Sequence, residues 1–258
     1  MKYAVETRDL SISWGEIKVL NKLNFKLNEG EKLAIVGPSG SGKSTILKIL
    51  AGLILPTDGE LRIFDEEQKY LRLDQNNPPD VRLVFQNPAL LGSLTIEENV
   101  GFILNRNKSI SKKFIKDLVN ECLEEVGLFD VSQKLPNELS GGMQKRVSFA
   151  RALISEPKEN KESKPVLLFD EPTAGLDPIA SSRIEDLINK TNDKVKGSSI
   201  VVSHVLSTIE RTSSKVLMLY GGQFRWEGSV YDFKNSEDPY VYQFRKGKLE
   251  GPMQPKEI

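Results

Sequence analysis

Cysteine and histidine are almost absent from this 258-residue chain, which has one of each. A lone Cys122 excludes an internal disulfide framework and fits a reducing compartment. Lys and Arg number 36, as do Asp and Glu, so no net charge of either sign remains. Without a global basic field, nucleic acid and anionic lipid drop out as partners unless a local patch serves them. Long apolar runs are missing too. The longest, Ile46 to Leu55, covers about ten residues and is broken by Lys48 and stopped by Pro56, whereas a membrane span needs about 20. Met1 to Leu10 is mixed and charged, without the apolar core of a secretory leader. The expectation is a soluble chain that does not cross a bilayer by itself. Its length allows one large domain or two small ones.

What is present is strongly patterned. Ala4 to Leu27 alternates apolar and polar residues, which predicts two or more antiparallel strands. After the turn Asn28-Glu29-Gly30, the run Leu33 to Val36 suits a buried strand. A Gly-rich loop then leads into a helix over Thr45 to Ala51, ended by Gly52. Leu61 to Phe64 and Val81 to Phe85 read as further strands. From Thr95 to Arg151 the pattern is mostly helical, with Ile115, Leu118, Val119, Cys122, Leu123 and Val126 on one face. That spacing makes Cys122 a core residue and not a reactive thiol. Strands return at Val166 to Phe169, Ser199 to Ser203 and Val216 to Tyr220, with a helix from Pro178 to about Lys194. Helices interleaved with apolar strands indicate a parallel α/β sheet, interrupted by a helical insertion. Lys158 to Lys164 is expected to be a charged, solvent-facing loop.

Three motifs carry chemistry. Gly37-Pro38-Ser39-Gly40-Ser41-Gly42-Lys43-Ser44 matches the phosphate-binding loop G-x-x-x-x-G-K-[ST], between a buried-strand run and a helix as the motif requires. Its glycines let backbone N–H groups, through Thr45 at the helix start, wrap around phosphates. Lys43 suits the β- and γ-phosphates, and the Ser44 hydroxyl suits Mg²⁺. Further on, the apolar run Val166 to Phe169 ends in Asp170-Glu171, at a strand's C-terminal edge where open α/β sheets bind ligands. Asp170 fits the Mg²⁺ shell, and Glu171 fits the orientation or deprotonation of an attacking water. The third motif, Leu139-Ser140-Gly141-Gly142-Met143, presents a hydroxyl and exposed N–H groups at a helix start. Read alone, this stretch is a simple helix cap.

Taken together, in this order and over almost the whole chain, the motifs resemble those of ATP-binding-cassette (ABC) ATPases. The family's signature usually has Gln where this chain has Met143. The resemblance implies roles for further residues. Gln86 resembles the Q-loop glutamine that contacts Mg²⁺ and the transport machinery. Leu176-Asp177 resembles the D-loop, with Asp177 also capping a helix that starts at Pro178. His204, the single histidine, resembles the switch histidine at the γ-phosphate. Trp14 resembles the aromatic that stacks on adenine, against a plain alternative as a buried strand aromatic. Two such subunits are expected to form a head-to-tail homodimer, in which Ser140, Gly141 and Gly142 of one complete the ATP site of the other. The segment Asn87 to Val100 resembles the region that receives a coupling helix from an integral membrane permease.

The implied fold is α/β: a P-loop NTPase (RecA-like) core with an antiparallel β subdomain and an inserted α-helical subdomain over about 88–150. The expected organisation is an ABC ATPase domain over 1–235 and a C-terminal tail over 236–258. Met143, together with Tyr240 to Gly247 and Glu250-Gly251-Pro252, resembles the ATPases of MCE-type lipid transporters, whose tails end in a "QF..G...GP" pattern. In that reading the tail grips the partner ATPase, an MCE-domain protein joins the permease, and the subunit sits on the cytoplasmic face of the inner (plasma) membrane. The same cassette also serves importers of polar solutes and soluble scaffolds of iron–sulfur cluster assembly.

Overall fold

The computed structural model describes residues 2–154 and 164–254. Most of the charged loop expected over Lys158 to Lys164 therefore lies outside the described residues. The N-terminal alternation becomes strands β1 (Tyr3–Trp14) and β2 (Ile17–Asn28), paired antiparallel about a turn at Gly15. β3 (Lys32–Val36) leads through the Gly-rich loop into helix α1 (Lys43–Leu50). β4 (Asp58–Ile63) returns beside β1, and the two-residue β5 (Glu66–Glu67) pairs with β4. Together these give a four-stranded sheet ordered β2-β1-β4-β5.

β6 (Val81–Val84) begins the second half and is followed by the helical insertion: α2 (Ile96–Val100), α3 (Lys112–Glu125) and α4 (Gly141–Leu153). Then come β7 (Val166–Asp170), α5 (Pro178–Val195), β8 (Ser198–Val202), α6 (Leu206–Thr212), β9 (Lys215–Tyr220) and β10 (Gln223–Ser229). Helices α7 (Val230–Asn235) and α8 (Pro239–Lys246) close the described chain. The second sheet is ordered β10-β9-β3-β8-β7-β6, parallel except for β10. No described helix is long and apolar enough to cross a membrane.

The continuous apolar runs of the parallel strands are explained by burial on both faces. Along β7, Val166 and Leu168 enter the core between the two sheets, while Leu167 and Phe169 enter the core under the helical insertion. Along β3, Leu33 and Ile35 join the first core, while Ala34 and Val36 join a third with Val216 and Met218 of β9. The face predicted on α3 is the one buried. Ile115, Val119, Cys122, Leu123 and Val126 are in the second core, with Leu118 packed against it.

Element ends depart from periodicity where turn chemistry decides. α1 starts at Lys43 and not Thr45, because the helix begins as soon as the loop's last left-handed glycine is passed. α4 takes in Gly141 and Gly142, since the Ser140 side chain caps it by accepting the Met143 N–H. The tail packs on its own domain: Val241 and Met253 are buried with Phe233 of α7, and Tyr240 and Phe244 lie against them.

Candidate functional site

The phosphate-loop sequence forms an arc between the end of β3 and the start of α1. Gly37 has φ +153°, and a Cβ there would collide with the Leu219 carbonyl oxygen, so only glycine fits. Gly42, at φ +102°, lies against β2, and a Cβ on it would be 2.7 Å from Leu20 Cδ2. No side chain caps α1 and its first turn holds no acidic residue, so its N–H groups remain available to an anion. The Ser41 hydroxyl is buried without a hydrogen-bond partner. Lys43 Nζ, also buried, donates to the loop's own Gly37 and Pro38 carbonyls at 2.8 and 2.9 Å. Burial pulls the Lys43 pKa down, opposed by the nearby Glu171 and Asp170 charges. A buried ammonium turned onto neutral carbonyls, an orphaned hydroxyl and open N–H groups together suit a polyphosphate.

Ser44 Oγ donates to Asp170 Oδ1 at 2.9 Å, joining the loop to the end of β7. Burial raises the Asp170 pKa, with the Ser44 hydrogen bond opposing and the neighbouring Glu171 charge adding. A buried carboxylate beside a hydroxyl is a donor set that a hard divalent cation takes. Glu171 follows at φ +45°, a left-handed backbone, with its N–H bonded to the Val202 carbonyl of β8 at 2.9 Å. His204, two residues past β8, reaches back to the same carboxylate. Its Nδ1 is 2.9 Å from Glu171 Oε2 and its backbone N–H donates there at 3.3 Å. The Glu171 side chain is 11% exposed and that of His204 60%. The adjacent ends of β3, β8 and β7 thus gather Lys43, Ser44, Asp170, Glu171 and His204 at one edge. Gln86 follows β6 on the neighbouring strand. Val84 is opposite Phe169, which brings Gln86 level with Glu171. It is exposed, and no hydrogen bond joins it to Ser44, Asp170 or Glu171.

Other predicted residues stand apart from this edge. Ser140 is exposed, and both Gly141 and Gly142 face open space. No hydrogen bond among the described residues links them to the chain's own phosphate loop. Asp177 caps α5 by accepting the Ile179 and Ala180 N–H groups at 2.9 Å, and those bonds, Ala180 first, lower its pKa. Trp14 is 56% exposed at the tip of the β1–β2 hairpin, so it is not a buried strand aromatic. The hairpin's second strand is the one lying on Gly42.

Sequence reasoning missed several polar residues around this edge. Lys145 of α4 donates to the Pro172 and Ala174 carbonyls, just past Glu171. Glu185, Thr173 and Thr208 form a buried hydrogen-bonded chain next to it. The available signal was Glu185 itself, a charged residue on the apolar stripe of α5 between Ile184 and Ile188.

Comparison with known proteins fits this geometry. The family model described as "ABC transporter" matches residues 20–174. The chain belongs to the ABC transporter family. It is an ATP-binding, ATP-hydrolysing cassette of that family. The matched span contains the phosphate loop, Gln86, Ser140 to Gly142 and Asp170-Glu171, while Trp14, Asp177 and His204 fall outside it. The chain is 44% identical over 259 residues to Protein TRIGALACTOSYLDIACYLGLYCEROL 3, chloroplastic, of Arabidopsis thaliana. That alignment covers 96% of this chain and 75% of the relative. It is 33% identical over 253 residues to the Intermembrane phospholipid transport system ATP-binding protein MlaF of Haemophilus influenzae, covering 96% and 92%. Among solved structures, the dimeric post-hydrolysis state of the ATP-binding cassette MJ0796, bound to ADP and Pi, is 31% identical. It superposes with a TM-score of 0.75 over 88% of this chain and 98% of that one.

Proposed function

We propose that this ABC ATPase powers lipid transport, most specifically of phospholipid, as a head-to-tail homodimer bound to membrane permease subunits and an MCE-domain protein. Two relatives, one of them by name the ATP-binding protein of an intermembrane phospholipid transport system, align with 96% of the chain and support the lipid assignment. The observation that carries the ATPase assignment is the Lys43, Ser44–Asp170 and Glu171–His204 constellation at one sheet edge.

In this reading the phosphates take the place of the Gly37 and Pro38 carbonyls on Lys43, and the loop N–H groups with Ser39, Gly40 and the Ser41 hydroxyl hold the remaining oxygens. Trp14 provides the stacking face for adenine. Ser44, Asp170 and Gln86 would hold Mg²⁺, which when bound neutralises charge on the β- and γ-phosphates. Glu171 accepts a proton from water as the water oxygen bonds to the γ-phosphorus. The bond to the bridging oxygen breaks, leaving ADP and phosphate. His204 turns from Glu171 to the γ-phosphate, a movement its exposed ring permits. Ser140, Gly141 and Gly142, which no hydrogen bond ties to the chain's own phosphate loop, cap the partner's γ-phosphate, and Asp177 lines the same interface.

Leu91, Phe102, Ile103, Phe114 and Phe129 are exposed around the helical insertion, an apolar surface suited to a permease helix. The subunit is placed at the cytoplasmic face of an inner (plasma) membrane, with the chloroplastic relative marking the other location to be tested by fractionation. Replacing Glu171 with Gln is expected to lower the ATP turnover rate by roughly 10²–10⁴-fold while ATP stays bound. Full retained turnover would overturn the assignment of the base. Native purification is expected to bring down a permease, an MCE-domain protein and phospholipid. A polar-solute receptor or an iron–sulfur scaffold in their place would overturn the lipid reading.

A further inference from the structure

The loop after Glu171 is gripped from two sides by groups that the proposed mechanism does not use. On one side, Lys145 Nζ donates to the Ala174 carbonyl at 2.6 Å and the Pro172 carbonyl at 3.4 Å. Lys145 sits in the second turn of α4, the helix that opens with Ser140-Gly141-Gly142. On the other side, the Thr173 and Thr208 hydroxyls are 2.8 Å apart, both buried. Thr208 belongs to α6, which follows His204. Its hydroxyl donates to Glu185 Oε1 at 2.8 Å, and Ser207 Oγ donates to the same oxygen at 3.0 Å. A carboxylate only accepts, and Thr208 has one proton to give, so the Thr173 hydroxyl is the donor in the Thr173–Thr208 bond. Glu185, only 1% exposed, is held by Arg211 Nη1 at 3.1 Å from its other oxygen. A buried carboxylate and two buried hydroxyls are costly to leave without partners, which favours keeping the Thr173–Thr208–Glu185 chain intact.

The loop so gripped directly follows Glu171, which has a strained backbone. Glu171 at φ +45° is a non-glycine residue in the left-handed region, a conformation that persists only where its surroundings enforce it. We infer that Lys145, and Thr208 backed by Glu185, are positioning residues that clamp the 172–174 loop and hold the Glu171 carboxylate for hydrolysis. The clamp ties that carboxylate to the anion-binding end of α4 and to the helix behind His204, so both helices move with it. This rests on the proposed role of Glu171.

The test is steady-state ATPase kinetics of the full chain carrying Thr173→Val, Thr208→Val, both together, Thr173→Ser, or Lys145→Met, with Glu171→Gln alongside. A carboxylate displaced by a fraction of an ångström loses turnover, so each Val variant and Lys145→Met is expected to lower kcat by roughly ten- to a hundredfold. KM for ATP stays within about twofold, since the phosphate loop is untouched. The double variant falls no further than Thr208→Val alone, because that change already removes the Thr173–Thr208 bond along with the bond to Glu185. Thr173→Ser keeps the hydroxyl and restores the rate. Unchanged kcat in the Val variants, with Glu171→Gln inactive, overturns the clamp and leaves the proposed function standing. A loss that Thr173→Ser does not rescue, with kcat and melting temperature falling in step, marks plain destabilisation and also overturns it. Full turnover in Glu171→Gln removes the proposed base, and the clamp with it.

Discussion

Cys122 illustrates how much a single position reveals when its neighbours are periodic. Its place among Ile115, Val119, Leu123 and Val126 already marks it as core, and the structure buries it there. Burial, with the Glu125 charge next, pushes the thiol up to about 11. Alkylation requires the thiolate, so below pH 11 the reactive fraction falls about tenfold per unit, to roughly one in a thousand at pH 8. Iodoacetamide at pH 8 is therefore expected to leave native Cys122 unlabelled and to label it fully in denaturant, as read by intact-mass spectrometry. Rapid native labelling would show that α3 opens. Lys43 is the opposite kind of residue. The motif assigns it to phosphate, but nothing in the motif says that its ammonium is buried and donates to the Gly37 and Pro38 carbonyls.

At the level of elements, the tail shows what each letter of its pattern does. Gln243 of α8 is buried, and its amide makes a two-way hook on Met253. Nε2 donates to the Met253 carbonyl at 2.8 Å, and the Met253 N–H donates to Oε1 at 2.7 Å. Phe244 packs in the third core, Gly247 ends α8 with φ +60°, and Gly251, at φ +149°, leaves no room for a Cβ beside the Gln243 amide. Gln243→Leu strands both Met253 backbone groups, a loss of about 1–3 kcal/mol. The expected outcome is a lower melting temperature and faster proteolysis after Gly247. Gly251→Ala is expected to do the same and to add little to Gln243→Leu, since both open one hook. Full additivity would show that the hook is not shared. Deleting Tyr240 to Ile258 would remove buried core along with any grip on a partner subunit, so these point variants separate the two roles where truncation does not.

For the whole molecule, the decisive fact is that the nucleotide edge and Ser140 to Gly142 are not joined within one chain. In the proposed homodimer, a second copy placed head to tail would bring its start of α4 to this phosphate site. In that arrangement linkage would make ATP favour the closed pair, and hydrolysis would withdraw that preference. The Glu171→Gln chain is expected to elute as a dimer with ATP and as a monomer with ADP, and Gly142→Trp is expected to abolish the dimer while single-chain nucleotide binding persists. An ATP-independent dimer would contradict this arrangement. The sequence alone determined the α/β class, the inserted helices and the three phosphate-site motifs, because turn glycines, caps and apolar periodicity are local and each leaves its mark within a few residues. Only the tertiary structure decided that His204 rests on Glu171, 33 residues away, that Lys145 reaches past that carboxylate, and that Glu185 anchors Thr208 and through it Thr173. Such contacts depend on how strands order in a sheet and how helices cross them, and no local pattern in the chain records those angles.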